Sequence, residues 1–557
     1  MVQPGGVIYL LGGVYSFDST ILIDDTNNGA DGKYKTIMAY PGNEVVWDFS
    51  AMEVSGSNRG VVLDGDYWYF KGFEITKAGD NGMLLAGNDN LIELMEFNDN
   101  QDTGLQLSRY KTNNADIGSW PSDNLILNCT AKNNCDNETM ENADGFAAKL
   151  TCGEGNVFDG CMSYNNSDDG WDLYAKSETG PIGVVTIRNC IAFRNGYTEF
   201  GEGFGDCDGN GFKLGGGGIG TAHIVENCLA FENLNCGFTD NNNPKLGSIS
   251  KCTAYNNGIG GNGKPNFSCY RCTDDGCDFS AVLTYVNVDN FNAALAPGIS
   301  SAKIANDKFV GTMENSAFYN DGKYYNVIDK QTIDNGDKIG NIVTITDDDF
   351  ISLEVAPYVS ASEGSGADWF DFHKEWRNSD GSLNTGGFLE TKDSSTYSDI
   401  GIEFQSIELP IDPIDPPVTT TVTTEAVSVT TTSVTTTVVT TEDVTDTTAG
   451  FTTNAPILTT IITIQTTAPV TTAEIPTEVI PDGTKYGDVN TDGSVNIADV
   501  VALNMYILNN EVNAISSEGI ANADCARDNK IDASDRLTLM NYVAMVISAD
   551  MLGQTLE

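Results

Sequence analysis

The segment GCMSYNNSDDGWDL (residues 160–173) contains both elements of a repeat that organises most of the chain before residue 321. Its first half recurs as NCTAKNN (128–134), NCIAFRN (189–195), NCLAFEN (227–233) and KCTAYNN (251–257), with weaker copies LMEFNDN (94–100) and ENSAFYN (314–320). Its second half recurs around Gly82, Gly104, Gly145, Gly211 and Gly237. The two elements alternate, so the chain repeats a unit of variable length.

Two strand-like elements per unit predict an all-β solenoid, a right-handed parallel β-helix. The repeated cysteines are expected to stack inside as small apolar side chains rather than as disulfides or metal ligands. Segments 109–120 and 196–209 interrupt the repeat and are expected to be loops on one side. The last asparagine of each copy is expected to bond its amide to the next coil, at Asn134, Asn166, Asn195, Asn233 and Asn257. Outside this register, either a disulfide or a weak metal site is compatible with Cys269, Cys272 and Cys277.

Alignment of the second element on its glycine assigns a direction to each side chain. The residues one and three after the glycine point inward and the residue two after it points outward, because side chains alternate along a strand. Asp172 and Lys213 therefore share an outward row on adjacent coils, about 4.8 Å apart. Asp144 and Asp169 directly precede their glycines and form a second adjacent pair, with Asp168 beside them.

These four carboxylates predict a calcium site. Stacked like charges are destabilising unless a cation lies between them, and clustered carboxylate oxygens suit Ca²⁺. The alternative is a set of Asp-Gly turns held by their own side chains. Lys213, which alone would be a solvated charge, gains a use beside calcium: it can take the C5 proton of a uronate in β-elimination while the ion neutralises the sugar carboxylate. Burial and the neighbouring cation would lower its pKa from about 10.4.

Charge restricts the classes of partner. The 557 residues include 79 acidic and 29 basic residues, a net charge of -50. Nucleic acid and anionic membrane surfaces would be repelled, and a polyanionic substrate would be held only through bridging divalent cations. The two histidines, His223 and His373, give little material for a histidine-based triad or a zinc site.

ADGFAAKL (143–150), NSDDGWDLY (166–174) and GNGFKLGGG (209–217), with the cysteine repeat, resemble polysaccharide lyase family 9, a family of β-helical pectate lyases. The resemblance implies that Asp144, Asp168, Asp169 and Asp172 bind the catalytic calcium and that Lys213 is the Brønsted base. It implies calcium-dependent cleavage of pectate, an acidic pectic polysaccharide. The family also has members that act on rhamnogalacturonan I, and no motif separates the two. A third alternative is a non-catalytic carbohydrate-binding β-helix with structural calcium, which would have no need of a base beside the metal.

Composition changes sharply near residue 410, where PIDPIDPP is followed by Thr/Val repeats. Few large apolar groups and many hydroxyl side chains indicate an extended linker. We therefore predict a β-helix lyase domain at 1–411, with 321–411 capping or flanking it, a linker at 412–484 and a further module at 485–557. Tyr174, Lys176 and Arg194 are candidates for sugar contact only by their proximity in sequence to the acidic motif.

The C-terminal module contains two calcium-loop patterns, each followed by apolar helical periodicity. The ligands by spacing in the first loop are Asp488, Asn490, Asp492, Ser494 through its carbonyl, and Asp499. Those in the second are Asp524, Asp528, Lys530 through its carbonyl, Asp532 and Asp535. Ala526 and Asn529 depart from the pattern, which predicts weaker calcium binding by the second loop.

The duplicated unit resembles a dockerin, which implies binding to a cohesin module of a scaffoldin protein. In that family, cohesin is commonly contacted by the positions of Ile497, Ala498, Ala533 and Ser534. A calcium-stabilised helix pair without a partner is the alternative. The chain starts directly in strand-like alternation without a signal-peptide or membrane-span pattern, so we expect a piece of a longer secreted precursor. The expected protein is extracellular, attached to a cellulosome, and has a monomeric catalytic unit.

Overall fold

A computed structural model describes residues 2–404 apart from 199–200, 203–206, 261–262, 274–275, 291–303, 335–338, 355–375 and 379. Beyond residue 404 it describes short stretches between 438 and 539. Two compact units are present, Met1–Ile462 and Thr463–Glu557. Within the described residues no helix is both long and apolar enough to cross a membrane.

The described part of the first unit is built from three long sheets whose strands pair in parallel from coil to coil. The first sheet contains Val7–Leu10, Lys35–Ala39, Trp68–Lys71, Leu91–Glu93, Leu125–Leu127, Val157–Asp159, Thr186–Arg188, His223–Glu226, Gly247–Ser250, Cys277–Ser280, Gly311–Glu314 and Gln331–Ile333. The second contains Gly13–Ser16, Val45–Asp48, Glu74–Thr76, Glu96–Asn98, Thr130–Lys132, Met162–Tyr164, Ile191–Phe193, Leu229–Phe231, Thr253–Tyr255, Leu283–Tyr285, Ser316–Asn320, Lys323–Val327 and Asn341–Val343. The third contains Ile21–Ile23, Val61–Leu63, Met83–Leu85, Leu105–Leu107, Phe146–Ala148, Trp171–Asp172, Phe212–Lys213, Phe238–Thr239, Phe267–Cys269 and Lys308–Phe309.

The predicted parallel β-helix is confirmed, but the prediction of two strands per coil is wrong. Each complete coil in the described region has three strands, and the additional strand belongs to the first sheet. Leu125–Leu127 and Val157–Asp159 are examples, each lying directly before a cysteine-containing element. Their sequences share apolar character but no repeated signature, so the repeat did not reveal them.

The interior is filled by the residues that the repeat predicted to point inward. The repeated cysteines are buried in one apolar core and are free thiols, as expected: Cys129, Cys161, Cys190, Cys228 and Cys252. The asparagine ladder is also confirmed, because each amide donates to the side-chain oxygen of the asparagine on the next coil at 2.8–3.0 Å. The ladder extends by one residue at each end, to Asn100 and Asn266.

The coils end in strands that pair antiparallel, from Ser316–Asn320 through Lys323–Val327 to Asn341–Val343 and from Gly311–Glu314 to Gln331–Ile333. Residues 376–404 then pack on the outer face of the second sheet, where Trp376 lies 5.8 Å from Phe193 between ring centroids. The remaining described elements are the strands Tyr197–Thr198, Gly201–Glu202, Val438–Thr440, Leu458–Thr460, Ala473–Glu474 and Lys530–Ile531, the 3₁₀ helices Ile117–Ser119, Val288–Asn290 and Asp347–Asp349, and the α-helix Ser517–Ala523.

Candidate active site

The third sheet places the outward row that the sequence predicted. Asp172 pairs in register with Ala147 on one side and with Lys213 on the other. The inward neighbours Trp171 and Phe212 stack with ring centroids 4.8 Å apart in the buried core. Because alternate residues of a strand face opposite sides, this aromatic stack fixes the direction of the outward row. The predicted adjacency of Asp172 and Lys213 is therefore present in the structure.

Three of the four predicted carboxylates converge at the turns that precede these strands. Asp144, Asp168 and Asp169 are buried, and one oxygen of each lies within 4.8 Å of the others. Backbone N–H groups hold them there: Asp169 donates to Asp144 Oδ1 at 3.2 Å, and Asn142 donates to Asp168 Oδ2 at 2.9 Å. Asn210 adds two bonds to Asp169 Oδ1, at 2.7 Å from its backbone and 2.8 Å from its side chain. We name Asp144, Asp168, Asp169 and Asp172 the acidic cluster.

Asp172 joins the other acids through a lysine that sequence reasoning missed. Lys149 Nζ lies 2.6 Å from Asp144 Oδ2 and 3.4 Å from Asp172 Oδ2, and the residue is almost fully buried. The signal for it was present in ADGFAAKL. Lys149 lies two residues beyond Ala147, so the alternation that made Ala147 outward also turns Lys149 outward.

Lys213 lies at the other side of the acidic cluster. Its Nζ is 2.9 Å from Asp169 Oδ2, 3.9 Å from Asp172 Oδ2 and 3.0 Å from Asp208 Oδ2. Asp208 ends the insertion 196–209 and also donates its backbone N–H to Asp168 Oδ1 at 2.6 Å. Sequence reasoning missed Asp208 because it lies in a loop and not in the repeat. Lys213 itself is only 8% exposed.

Burial and mutual repulsion disturb the charges of the acidic cluster. Burial raises the pKa of Asp144 to about 8, with Lys149 opposing the shift and Asp172 reinforcing it. Burial also raises the pKa of Asp168 to about 7, and Asp144 adds to the effect. For Lys213, burial lowers the pKa, but the surrounding carboxylates outweigh it and hold the pKa well above its usual range. The ion pairs of Lys213 with Asp169 and Asp208 thus favour its charged ammonium form.

The acidic cluster fits a divalent cation. One oxygen of each of Asp144, Asp168 and Asp169 could contact the same ion, because these atoms lie within 4.8 Å of one another. Asp172 Oδ1 is buried and has no hydrogen-bond partner among the described residues, an arrangement that costs free energy unless a cation or water contacts the oxygen. An all-oxygen donor set of this kind is typical of calcium sites.

The structure also decides two other questions that the sequence raised. Arg194 is 1% exposed, because it is buried behind the second sheet, so the suggestion that it contacts sugar is wrong. Cys269, Cys272 and Cys277 are free thiols in the apolar core, which removes the disulfide alternative. The only cluster of potential metal ligands within the described ranges is the acidic one, so these thiols are core residues.

Comparison with known proteins agrees with this geometry. Residues 1–271 match the family described as "Pel9A-like, right handed beta helix region", and residues 486–544 match the dockerin type I domain. The chain carries a Pel9A-like β-helix module and a type I dockerin. The resemblance to polysaccharide lyase family 9 and to dockerins is confirmed.

Relatives of the Pel9A-like module share substantial identity. Pectate lyase L of Paenibacillus polymyxa (strain SC2) is 51% identical over 257 residues, which are 46% of this chain and 57% of that protein. Pectate lyase L of Thermoclostridium stercorarium is 46% identical over 261 residues, 46% of this chain and 20% of that protein. The crystal structure of pectate lyase Pel9A superposes with a TM-score of 0.50 at 26% identity and covers 71% of this chain and 82% of that chain. The chain thus spans little more than half of the first of these curated relatives and a fifth of the second.

The dockerin is described only in part. Of the predicted ligands, Asp488, Asp499 and Asp535 are buried, and Asp499 Oδ1 accepts the backbone N–H of Asn490 at 3.0 Å, which closes the first loop. Asp524 begins the second loop, and Lys530 lies within it in the strand Lys530–Ile531. Outside the described residues lie the predicted ligands Asp492, Ser494, Asp528 and Asp532 and the predicted partner contacts Ile497, Ala498, Ala533 and Ser534.

Proposed function

We propose that the Pel9A-like module is a calcium-dependent lyase that cleaves polygalacturonate by β-elimination. One observation carries the proposal. Lys213 lies on the coil next to Asp172, and its Nζ contacts Asp169 at 2.9 Å in a buried acidic cluster that fits a divalent cation. A non-catalytic binding protein would have no need of an amine at this point. The relatives named pectate lyase L, at 46–51% identity, support the same reaction.

Each residue has a definite part in the proposed reaction. Calcium bound by Asp144, Asp168, Asp169 and Asp172 would neutralise the sugar carboxylate and stabilise negative charge that develops beside C5. Lys213 Nζ accepts the C5 proton, and the C4–O bond breaks as the C4–C5 double bond forms; the departing glycosidic oxygen takes a proton from solvent.

In the proposed reaction, Lys213 acts as a base only when a cation is bound. Three of the four carboxylates that raise the pKa of Lys213 are Asp168, Asp169 and Asp172. A cation that neutralised their charge would weaken the effect that raises the pKa of Lys213, so that burial, which lowers this pKa, would count for more.

We further propose that the dockerin attaches the enzyme to a cohesin module of an extracellular cellulosome. The first loop has buried acids at both ends, which suits calcium-dependent folding of the loop. A Thr-rich linker at 412–484 then separates a lyase domain at 1–411 from the dockerin at 485–557. This arrangement supplies the reach that an anchored enzyme needs on an insoluble cell wall.

The test measures ultraviolet absorbance of the unsaturated uronate product on polygalacturonate and on rhamnogalacturonan I. We expect product on polygalacturonate, none after chelation, and recovery on addition of calcium. Lys213→Ala is expected to lower kcat by about 10²–10⁴, the usual contribution of a general base. Lys323→Ala, at an exposed position of a strand, is the matched control and should keep full activity.

Other outcomes decide between the alternatives. Product on rhamnogalacturonan I alone would replace the substrate and leave the chemistry in place. A protein that binds calcium by calorimetry yet forms no product on any uronate polymer would be a binding module, and the lyase proposal would be rejected. Asp169→Asn separates the two roles, because it should weaken calcium binding directly, without reference to activity.

A further inference from the structure

The outward row of the third sheet continues beyond Lys213. Lys213 pairs in register with Thr239, Thr239 with Ser268, and Ser268 with Lys308 on successive parallel strands. At the usual strand spacing, Lys308 lies about 14 Å from Lys213 on the same face of the sheet. The row therefore leads from the acidic cluster to a second amine.

Tyr270 and Arg271 lie beside Lys308. Lys308 Nζ is 4.8 Å from the centroid of the Tyr270 ring, and the Arg271 guanidinium carbon is 5.0 Å from the same centroid. Within the described ranges Lys308 has no salt-bridge partner, although the chain has far more acids than bases. We name Tyr270, Arg271 and Lys308 the basic patch.

Arg271 is positioned by buried groups. Its backbone N–H and its Nε donate to the two carboxylate oxygens of Asp240 at 2.6 and 2.5 Å, and Nη2 donates to Thr239 Oγ1 at 2.9 Å. These bonds leave Nη1 without a partner in the portion of the chain that the structure describes. The side chain is 29% exposed, so a ligand can reach it. Arg271 is therefore a preorganised donor at the surface of the row.

Toward the earlier coils, the outward row of the third sheet is covered by other residues. Val62 and Leu84 occupy outward positions of the row on earlier coils, yet both are almost fully buried. Lys111, from the insertion 109–120, pairs with Asp64 at 2.9 Å over this part of the sheet. Lys111 is thus neutralised by its ion pair, whereas Lys308 has no ion pair among the described residues.

We propose that the basic patch is a subsite for the carboxylates of a galacturonate polymer that extends from Lys213 toward the later coils. This inference rests on the proposed function. A polyuronate presents a carboxylate on every sugar, which an arginine fork and an ammonium group both pair well. The Tyr270 ring adds an apolar face against which a sugar ring can pack. In a protein with a net charge of -50, the unpaired charge of Lys308 lets this patch attract a polyanion without a bridging cation.

The test measures binding separately from turnover. Lys213→Ala protein is titrated with polygalacturonate in calcium-containing buffer at low ionic strength, alone and combined with Lys308→Ala, Lys308→Arg or the control Lys323→Ala. Lys308→Ala should weaken the affinity about tenfold, the effect of one lost charge-assisted contact, and the difference should shrink at high salt. Lys308→Arg and Lys323→Ala should stay within about twofold of the parent. In the wild-type background Lys308→Ala should raise KM about tenfold and leave kcat within about twofold.

The outcomes separate this proposal from the lyase proposal. Equal affinity of the parent and Lys308→Ala overturns the subsite and leaves the lyase intact. Wild-type turnover with an unchanged KM in Lys308→Ala does the same. Failure of the parent to bind polygalacturonate, together with absence of product from the wild type, overturns both.

Discussion

Replacement of Asn195 by alanine tests whether the asparagine ladder holds the coils in register. Asn195 is fully buried in the middle of the ladder. Its Nδ2 donates to Asn233 Oδ1 at 3.0 Å and to the Ser163 carbonyl at 3.2 Å. Its Oδ1 accepts from Asn166, at 2.9 Å from the side chain and 3.3 Å from the backbone. Alanine removes all four bonds and keeps the backbone bond from Asn195 to Asn233.

The expected loss of unfolding free energy follows from the hydrogen bonds that each partner of Asn195 retains. Asn166 Nδ2 retains bonds to Ser163 Oγ and the Ala131 carbonyl, so its loss is small. The backbone N–H of Asn166 is left buried without its acceptor, which costs about 1–3 kcal/mol. The two bonds donated by Asn195 add roughly 1 kcal/mol each. We therefore expect the free energy of unfolding of the β-helix to fall by about 3–5 kcal/mol.

The assay is urea unfolding followed by fluorescence of the buried tryptophans, in calcium-containing buffer. Asn341→Ala is the matched control, because Asn341 is exposed on a strand, and it should change the unfolding free energy by no more than about 0.5 kcal/mol. A loss for Asn195→Ala within about 1 kcal/mol of that control would show that the ladder contributes little and would refute the reasoning.

Three further predictions concern the site. Calcium affinity should rise by about a hundredfold per pH unit below pH 7 and by about tenfold per unit between pH 7 and 8, because Asp168 (pKa about 7) and Asp144 (pKa about 8) must both lose protons to bind the ion. Calorimetry in buffers of different ionisation enthalpy counts those protons, and a pH-independent affinity would contradict the prediction. Lys149→Met should destabilise the protein by roughly 3–5 kcal/mol in chelator, since it leaves Asp144 buried without its lysine partner. Calcium should restore most of that loss. An equal loss of Tm in chelator and in calcium would argue against a site that Lys149 and the ion share. Trp171→Ala should lower the free energy of unfolding by about 3–5 kcal/mol and abolish activity, because the indole packs on Phe212 beneath Asp172 and Lys213. Loss of activity with an unchanged free energy of unfolding would show that Trp171 does not act through packing.

Much of the fold was predictable because one periodic signal fixed both faces of a strand. The cysteine repeat set the coil length, and the glycine alignment then separated inward from outward positions. Asp172 and Lys213, 41 residues apart in the chain, could be placed next to each other on this basis alone. Such reasoning works where register is enforced by a buried face, since a slip of one residue would expose every apolar side chain.

The remainder was not predictable because its signals are not periodic. Arg377 donates to the carbonyls of Gly160 at 2.9 Å and Cys129 at 3.0 Å, and so joins the segment 376–404 to coils more than 200 residues earlier in the sequence. Nothing in its local sequence marks these partners. Asp208 likewise reaches Lys213 from the insertion 196–209, which is not part of the repeat. Contacts of this kind depend on tertiary placement alone.

A chain with a net charge of -50 can still act on a polyanion, because the charge at the site differs from the net charge of the chain. The acidic cluster concentrates negative charge, and Lys149 and Lys213 form ion pairs with it, so that the buried acids have cationic partners within the chain itself. A cation bound by the acidic cluster would take over part of this neutralisation and would weaken the hold of the carboxylates on Lys149 and Lys213. The same acids would therefore keep Lys213 charged through their ion pairs and, once they bind an ion, would favour its neutral amine, the form that can accept a proton. Calcium should consequently affect kcat through the charge of Lys213 as well as KM through the substrate carboxylate, and a calcium dependence confined to KM would contradict this coupling.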